Sequence, residues 1–217
     1  LNPVTSIHVP WDPEGLTLIP ATGAILVLGD AGGAVFDPRT GSVSLISSAV
    51  ISGLPSFVGE DGLPLAVYDP ADGLVFDDTG YGINVVNPAT WSLVTHLSVS
   101  AQSVAYDPTS QQVYFASPYT WAAGVPPASS LMAVNGSTFD VENVAALGVN
   151  SQGVCVDATT GWVYVANEGS ANLSVFNPSS GELEPSIAAG INPWDCIVDD
   201  ASHSVYVSGY NFDGGYN

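Results

Sequence analysis

Few residues of this 217-residue chain have a type and spacing that could carry chemistry. They are three histidines, two cysteines, three adjacent acid pairs and two asparagine sequons. His8, His96 and His203 are widely separated, and no His-Glu-x-x-His, Gly-x-Ser-x-Gly or Cys-x-x-Cys motif accompanies them. Zinc hydrolysis and nucleophilic catalysis therefore have no visible signature, and no catalytic residue is assigned. Glu60-Asp61, Asp77-Asp78 and Asp199-Asp200 pair carboxylates. Neighbours in a strand point to opposite faces, so each pair is a poor acid–base couple. Asp77 and Asp78, with Thr79 and Gly80, form a calcium candidate in a loop, although the alternating ladder of an EF-hand is missing. No other cofactor is implied. Asn135-Gly136-Ser137 and Asn172-Leu173-Ser174 are N-glycosylation acceptors, with Asn135 the more accessible.

Composition narrows the partners. Arg39 is the single basic side chain against 21 carboxylates, giving a net charge of -20. Nucleic-acid binding rests on phosphate neutralisation by Lys and Arg, so it is excluded, and adhesion to anionic lipid is disfavoured. Without lysine there is no Schiff-base chemistry and no phosphate-binding loop of the Walker type. Only 10% of residues are charged, so the exterior must be built from Ser, Thr, Asn and Gly, a composition that points to an extracellular location. No apolar run reaches the roughly 18 residues of a membrane span. The chain begins at Leu1 without a basic, apolar leader, so a signal peptide is expected to be removed or to lie outside this sequence.

The elements that position these residues repeat. An aspartate closes an apolar run, a turn follows, and an aromatic-centred apolar run comes next. The clearest copy runs from Val156-Asp157 through Gly161 to Trp162-Val163-Tyr164-Val165. Others are Tyr106-Asp107-Pro108 with Val113-Tyr114-Phe115, Val198-Asp199-Asp200 with Val205-Tyr206-Val207, and Tyr68-Asp69-Pro70 with Leu74-Val75-Phe76. A degenerate copy is Trp11-Asp12-Pro13 with Ile25-Leu26-Val27. The anchors at 12, 69, 107, 157 and 199 are spaced by 57, 38, 50 and 42, and a strand-rich repeat near forty residues is the mark of a β-propeller. Recurrence in every unit assigns these aspartates to turn capping rather than catalysis. The fold class is therefore all-β, a propeller of four-stranded antiparallel blades within one domain, 1–217. Complete blades are expected at about 1–48, 62–100, 101–149 and 150–190, with a half blade at 191–217 that makes the chain a piece of a larger ring. This scheme puts His8 on an inner strand, His96 on an outer strand and His203 in a turn.

Tyr164-Val165-Ala166-Asn167, followed by Glu168-Gly169-Ser170, and the lead-in Gly190-Ile191-Asn192-Pro193 resemble the YVTN-type β-propeller repeat of archaeal and bacterial surface-layer proteins. The resemblance extends over nearly the whole chain but is clean only at 153–194; Tyr206-Val207-Ser208-Gly209 and Tyr114-Phe115-Ala116-Ser117 depart at their last positions. It implies a ring of about seven blades and a structural or adhesive module of a cell-surface layer, sheath or filament. Its partners would be copies of itself, other surface proteins or glycans. The competing expectation is a ligand-binding or lyase-type propeller, since this fold hosts many activities.

Length differences between units locate that competitor. Insertions fall near 118–130, between the second and third strands of a blade, and near 49–61, between successive blades; both connections emerge on one face of the disc. Tyr119, Trp121, Trp194, Tyr210 and Phe212 gather on that face, together with Phe57 and Tyr81, as a candidate binding surface for a sugar or a protein. Cys155 and Cys196 fall on inner strands of successive blades with opposite parity. Parity alone leaves them facing together or apart, and the even cysteine count favours a disulfide.

Overall fold

The computed structural model describes residues 8–9, 13–29, 32–46, 66–79, 82–117 and 129–210. Every regular element among them is a β-strand. β1 (Pro13–Ile19), β2 (Ala24–Gly29), β3 (Gly32–Asp37) and β4 (Ser42–Ile46) form the first four-stranded sheet. The second contains β5 (Ala66–Asp69), β6 (Leu74–Asp78), β7 (Ile83–Asn87) and β8 (Ser92–Leu97). The third contains β9 (Val104–Asp107), β10 (Gln112–Ser117), β11 (Ser130–Asn135) and β12 (Val141–Ala146). The fourth contains β13 (Ser151–Val156), β14 (Val163–Asn167), β15 (Asn172–Asn177) and β16 (Glu182–Ala188). β17 (Pro193–Asp199) and β18 (Ser204–Gly209) pair as a fifth, two-stranded sheet. All pairings are antiparallel between sequence neighbours, and the first strands of successive sheets lie side by side. The architecture is that of a β-propeller, with four four-stranded blades and one two-stranded blade among the described residues.

One five-residue turn closes most of the hairpins. The carbonyl of the last strand residue accepts from the amide four residues on, as in Gly73 to Asp69 (2.9 Å), Gln111 to Asp107 (2.9 Å) and Gly161 to Asp157 (2.8 Å). The fifth position has positive φ, which glycine adopts without penalty; Gln111 (58°) and His203 (54°) hold it without that freedom. The aspartates cap these turns, as their recurrence implies. Asp107 accepts from Thr109 N at 2.8 Å and Ser110 Oγ at 2.6 Å; Asp199 accepts from Ala201 N at 3.1 Å and Ser202 Oγ at 2.8 Å.

The first blade departs from the expected register. Ile19, not Asp12, pairs with Ala24 as Asp69 pairs with Leu74, and Gly23 N donates to the Ile19 carbonyl at 2.8 Å. The turn is thus Ile19-Pro20-Ala21-Thr22-Gly23, with a buried isoleucine in the aspartate's place. His8 accordingly lies ahead of β1 and outside any strand, not on an inner strand.

The core is a series of interfaces between blades, built by the alternation of side chains along each strand. On β10, Val113 and Phe115 pack against Phe76, Ile83 and Val85 of the second blade. Tyr114 and Ala116 between them face the fourth blade with Leu131, Val163, Val165 and Phe176. β10 and β14 are thus buried on both faces, which explains their unbroken apolar runs. Ile19, Leu26, Ile46, Ala66 and Val75 join the first two blades, and Tyr164, Val175, Cys155 and Cys196 join the last two.

Candidate functional site

Cys155 on β13 and Cys196 on β17 form a disulfide with a Cα–Cα distance of 5.7 Å, inside the range a bridge allows. The two inner strands face one another, so the expected bridge is realised across a blade interface, with both residues buried. Gly153 makes the approach possible: a Cβ there would fall 2.6 Å from the Asp195 Cα.

At the end of that interface, on the face carrying the connections between blades, five side chains meet. Asn150 and Gln152 stand at the entry to β13, Glu168 in the turn after β14, Trp194 at the start of β17 and Tyr210 just after β18. Asn150 Nδ2 and Tyr210 OH both donate to Glu168, and Gln152 Nε2 donates to Glu168 Oε2 at 3.2 Å. The Trp194 and Tyr210 rings meet edge to face with centroids 5.2 Å apart. Backbone bonds fix the frame: Glu168 N to Asn150 O at 2.9 Å, Gly169 N to Val149 O at 3.0 Å, and Tyr210 N to Asn192 O at 3.3 Å. Beside Trp194, burial raises the Asp195 carboxyl, and the hydrogen bond from Cys196 N works against that rise. Gln152 is 6% exposed and its Oε1 has no hydrogen-bond partner.

Of the expected aromatic surface, the structure brings Trp194 and Tyr210 into contact; Tyr119, Trp121 and Phe212 lie outside the described residues. Asn150, Gln152 and Glu168 were not anticipated. The signal was present, in the run Asn167-Glu168-Gly169-Ser170 and in a glutamine at an inner-strand position, but these residues come from separate strands.

A second polar group lies between the first two blades. Asp77 and Asp78 end β6 instead of opening a loop, and they point to opposite faces, so they do not converge as cation ligands. Among the described residues no three His, Cys, Asp or Glu side chains come together as a metal site. Asp77 stands opposite Asn84, whose Oδ1 lies 2.8 Å from His96 Nδ1 on β8. Burial, then the Asp78 charge, pushes the Asp77 carboxyl up to about 7; the Asn84 amide opposes this, although its Nδ2 makes no hydrogen bond of normal geometry. His203 binds Asp157 at 2.7 Å across the last interface. His96 and His203 thus have separate hydrogen-bond partners and do not converge on one site.

The sequons differ in setting. Asn135 is exposed at the end of β11, with Oδ1 accepting from Ser137 N and Thr138 N at 3.0 Å; Asn172 is half-buried, accepting from Asn167 Nδ2 at 2.8 Å.

No protein-family model and no curated protein matches the chain. Solved structures match its fold. The β-propeller domain of Cps50 (Swd1) from Myceliophteria thermophila superposes with a TM-score of 0.66 at 10% identity, over 94% of this chain and 68% of that one. A gluconolactonase from Xanthomonas campestris gives 0.61 at 14% identity, over 91% and 69%. The extracellular domain of a putative one-component system from B. thetaiotaomicron gives 0.64 at 13%, over 96% of this chain but 27% of that one. At such identities the likeness is one of fold, and one of these neighbours is named as an enzyme.

Proposed function

We propose that this β-propeller is a non-enzymatic extracellular module, structural or adhesive, of a cell-surface layer, sheath or filament of the YVTN-repeat kind. The observation that carries this reading is the buried Cys155–Cys196 bridge between inner strands, because such bonds persist in oxidising compartments. The lysine-free, sparsely charged exterior and the exposed sequon at Asn135 support it. Contacts with copies of itself, with other surface proteins or with glycans use the face that holds Trp194 and Tyr210. Fractionation of the native source should recover the protein with the cell surface, and peptide mass spectrometry should find the 155–196 bridge and a glycan on Asn135, less completely on Asn172. Recovery in the cytoplasm with both thiols free would overturn the proposal.

The Trp194–Tyr210–Glu168 group favours a second reading, a propeller that binds a ligand or acts on one at this face. Tight binding of a small ligand by a protein that stays monomeric at every pH would favour it over the structural role.

A further inference from the structure

The Glu168 group is finished as a set of donors and unfinished as a set of acceptors. Asn150, Gln152 and Tyr210 all donate to one carboxylate. A carboxylate only accepts, so it fixes the orientation of the Gln152 amide: Nε2 faces Glu168 and Oε1 is left buried without a donor. An unsatisfied buried acceptor costs about 1–3 kcal/mol, a penalty that a ligand donor would remove.

The charge of Glu168 is likewise uncompensated. The whole sequence holds one Lys or Arg, and Arg39 lies in the first blade with its Nε 3.2 Å from Asp37. His203 is held by Asp157 and His96 lies against Asn84. Among the described residues no Lys, Arg or His forms an ion pair with Glu168. Beside it stand the two aromatic rings of Trp194 and Tyr210.

We propose that Glu168, Gln152, Trp194 and Tyr210 form a receptor for a cationic N–H donor, an ammonium or guanidinium group carried by a basic ligand or by a Lys or Arg side chain of a partner protein. The cation neutralises Glu168, donates to Gln152 Oε1 and lies against the aromatic rings. A sugar fits less well, because its neutral hydroxyls leave the Glu168 charge uncompensated. The net charge of -20 adds long-range attraction for such a partner and does not select the site. The inference concerns ligand chemistry and holds whether or not the protein belongs to a surface layer.

The test is a titration of the isotope-labelled 217-residue protein, followed by NMR, with Nα-acetyl-arginine methylamide and Nα-acetyl-lysine methylamide. Nα-acetyl-glutamine methylamide and maltose serve as neutral probes. Salt is held near 0.3 M to shorten diffuse attraction to well under about 8 Å. Saturable shifts are expected at the Gln152 side-chain amide and the Trp194 indole with the cationic probes only. Glu168→Gln should weaken binding about tenfold or more, and Trp194→Leu, which leaves the polar group intact, about threefold or more. Amide spectra of each variant establish that it is folded. Shifts spread over many carboxylates and unchanged in both variants would overturn the proposal, as would preferential binding of maltose or no saturable shift at all.

Discussion

Asp77 occupies a place that the other blades fill with apolar side chains. Counted from the turn, its equivalents are Val27, Phe115, Val165 and Val207, and the last three pack against a preceding blade. A carboxyl raised to about 7 favours the protonated fold. Its contribution is complete below the ordinary value near 4 and is lost as pH rises through about 7. Asp77→Val should therefore raise stability at pH 8 by an amount on the order of a few kcal/mol and flatten the pH dependence between about 4 and 7. Urea midpoints at several pH values measure both effects. Asp157 behaves oppositely. Burial alone would raise it, but hydrogen bonds from the Thr159 side chain, His203, the Thr159 amide and Thr160 together hold it well below the usual carboxylate range. Its contribution is present above about pH 4 and disappears as pH falls through its depressed value. Asp157→Ala should cost about 1–2 kcal/mol at neutral pH and little in strong acid, read from the same curves. The contributions of these two aspartates are jointly largest near pH 4.

At the scale of elements, the hairpins were legible because their turns are chemical: an aspartate, then a proline or a small residue, then a glycine. The fourth blade shows this best, with β13 to β16 lying where its apolar runs and turns put them. The first blade was misread for the same reason. Asp12-Pro13 imitates Asp69-Pro70 and Asp107-Pro108, whereas the true turn at Ile19-Pro20 has lost the carboxylate. Restoring Ile19 to the anchor place makes the first spacing 50, equal to that from Asp107 to Asp157. The Glu168 group was illegible because blade stacking, not local periodicity, brings Gln152, Glu168 and Tyr210 together. The disulfide belongs to this scale as well. It closes a loop of 41 residues, a constraint worth roughly 3–4 kcal/mol in the unfolded chain. Cys155→Ser with Cys196→Ser should lower the urea midpoint by a corresponding amount, and hydrogen exchange should show the lost protection first in β17 and β18.

Across the whole molecule, one sheet face exposes apolar side chains on its outer strands among the described residues, although Val27 and Ala34 at its middle are buried. Leu16 and Leu18 of β1 are 73% and 57% exposed, yet their equivalents Ala66 and Tyr68, Val104 and Tyr106, Val154 and Val156 all pack toward the blade before. Leu45 and Val43 extend the same apolar face on β4. It has the make-up of an interface between blades, and in the 217-residue protein it should bind a hydrophobic dye. Leu16→Ser with Leu18→Ser should reduce that fluorescence without changing the unfolding free energy from urea curves by more than about 0.5 kcal/mol, the range for exposed positions. An unchanged dye signal would place the sticky surface elsewhere.

The separate cores between blades have a kinetic consequence. Each blade is stabilised only by its neighbours, so cooperativity is nearest-neighbour and the described blades of the 217-residue protein behave as a one-dimensional lattice whose interfaces can open separately. The two ends are not alike. The last interface is covalently locked at Cys155–Cys196, while the first contains the half-buried Asp77 with its raised carboxyl and joins a blade whose outer strands expose Leu16, Leu18 and Leu45. Opening should therefore be directional: β1–β4 detach first, the second blade follows, and the locked pair persists longest. Above pH 7, where Asp77 is charged, that order should sharpen into a distinct early step. Well below pH 4 Asp77 is neutral and the last interface loses the Asp157 contribution, so the contrast between the two ends should shrink.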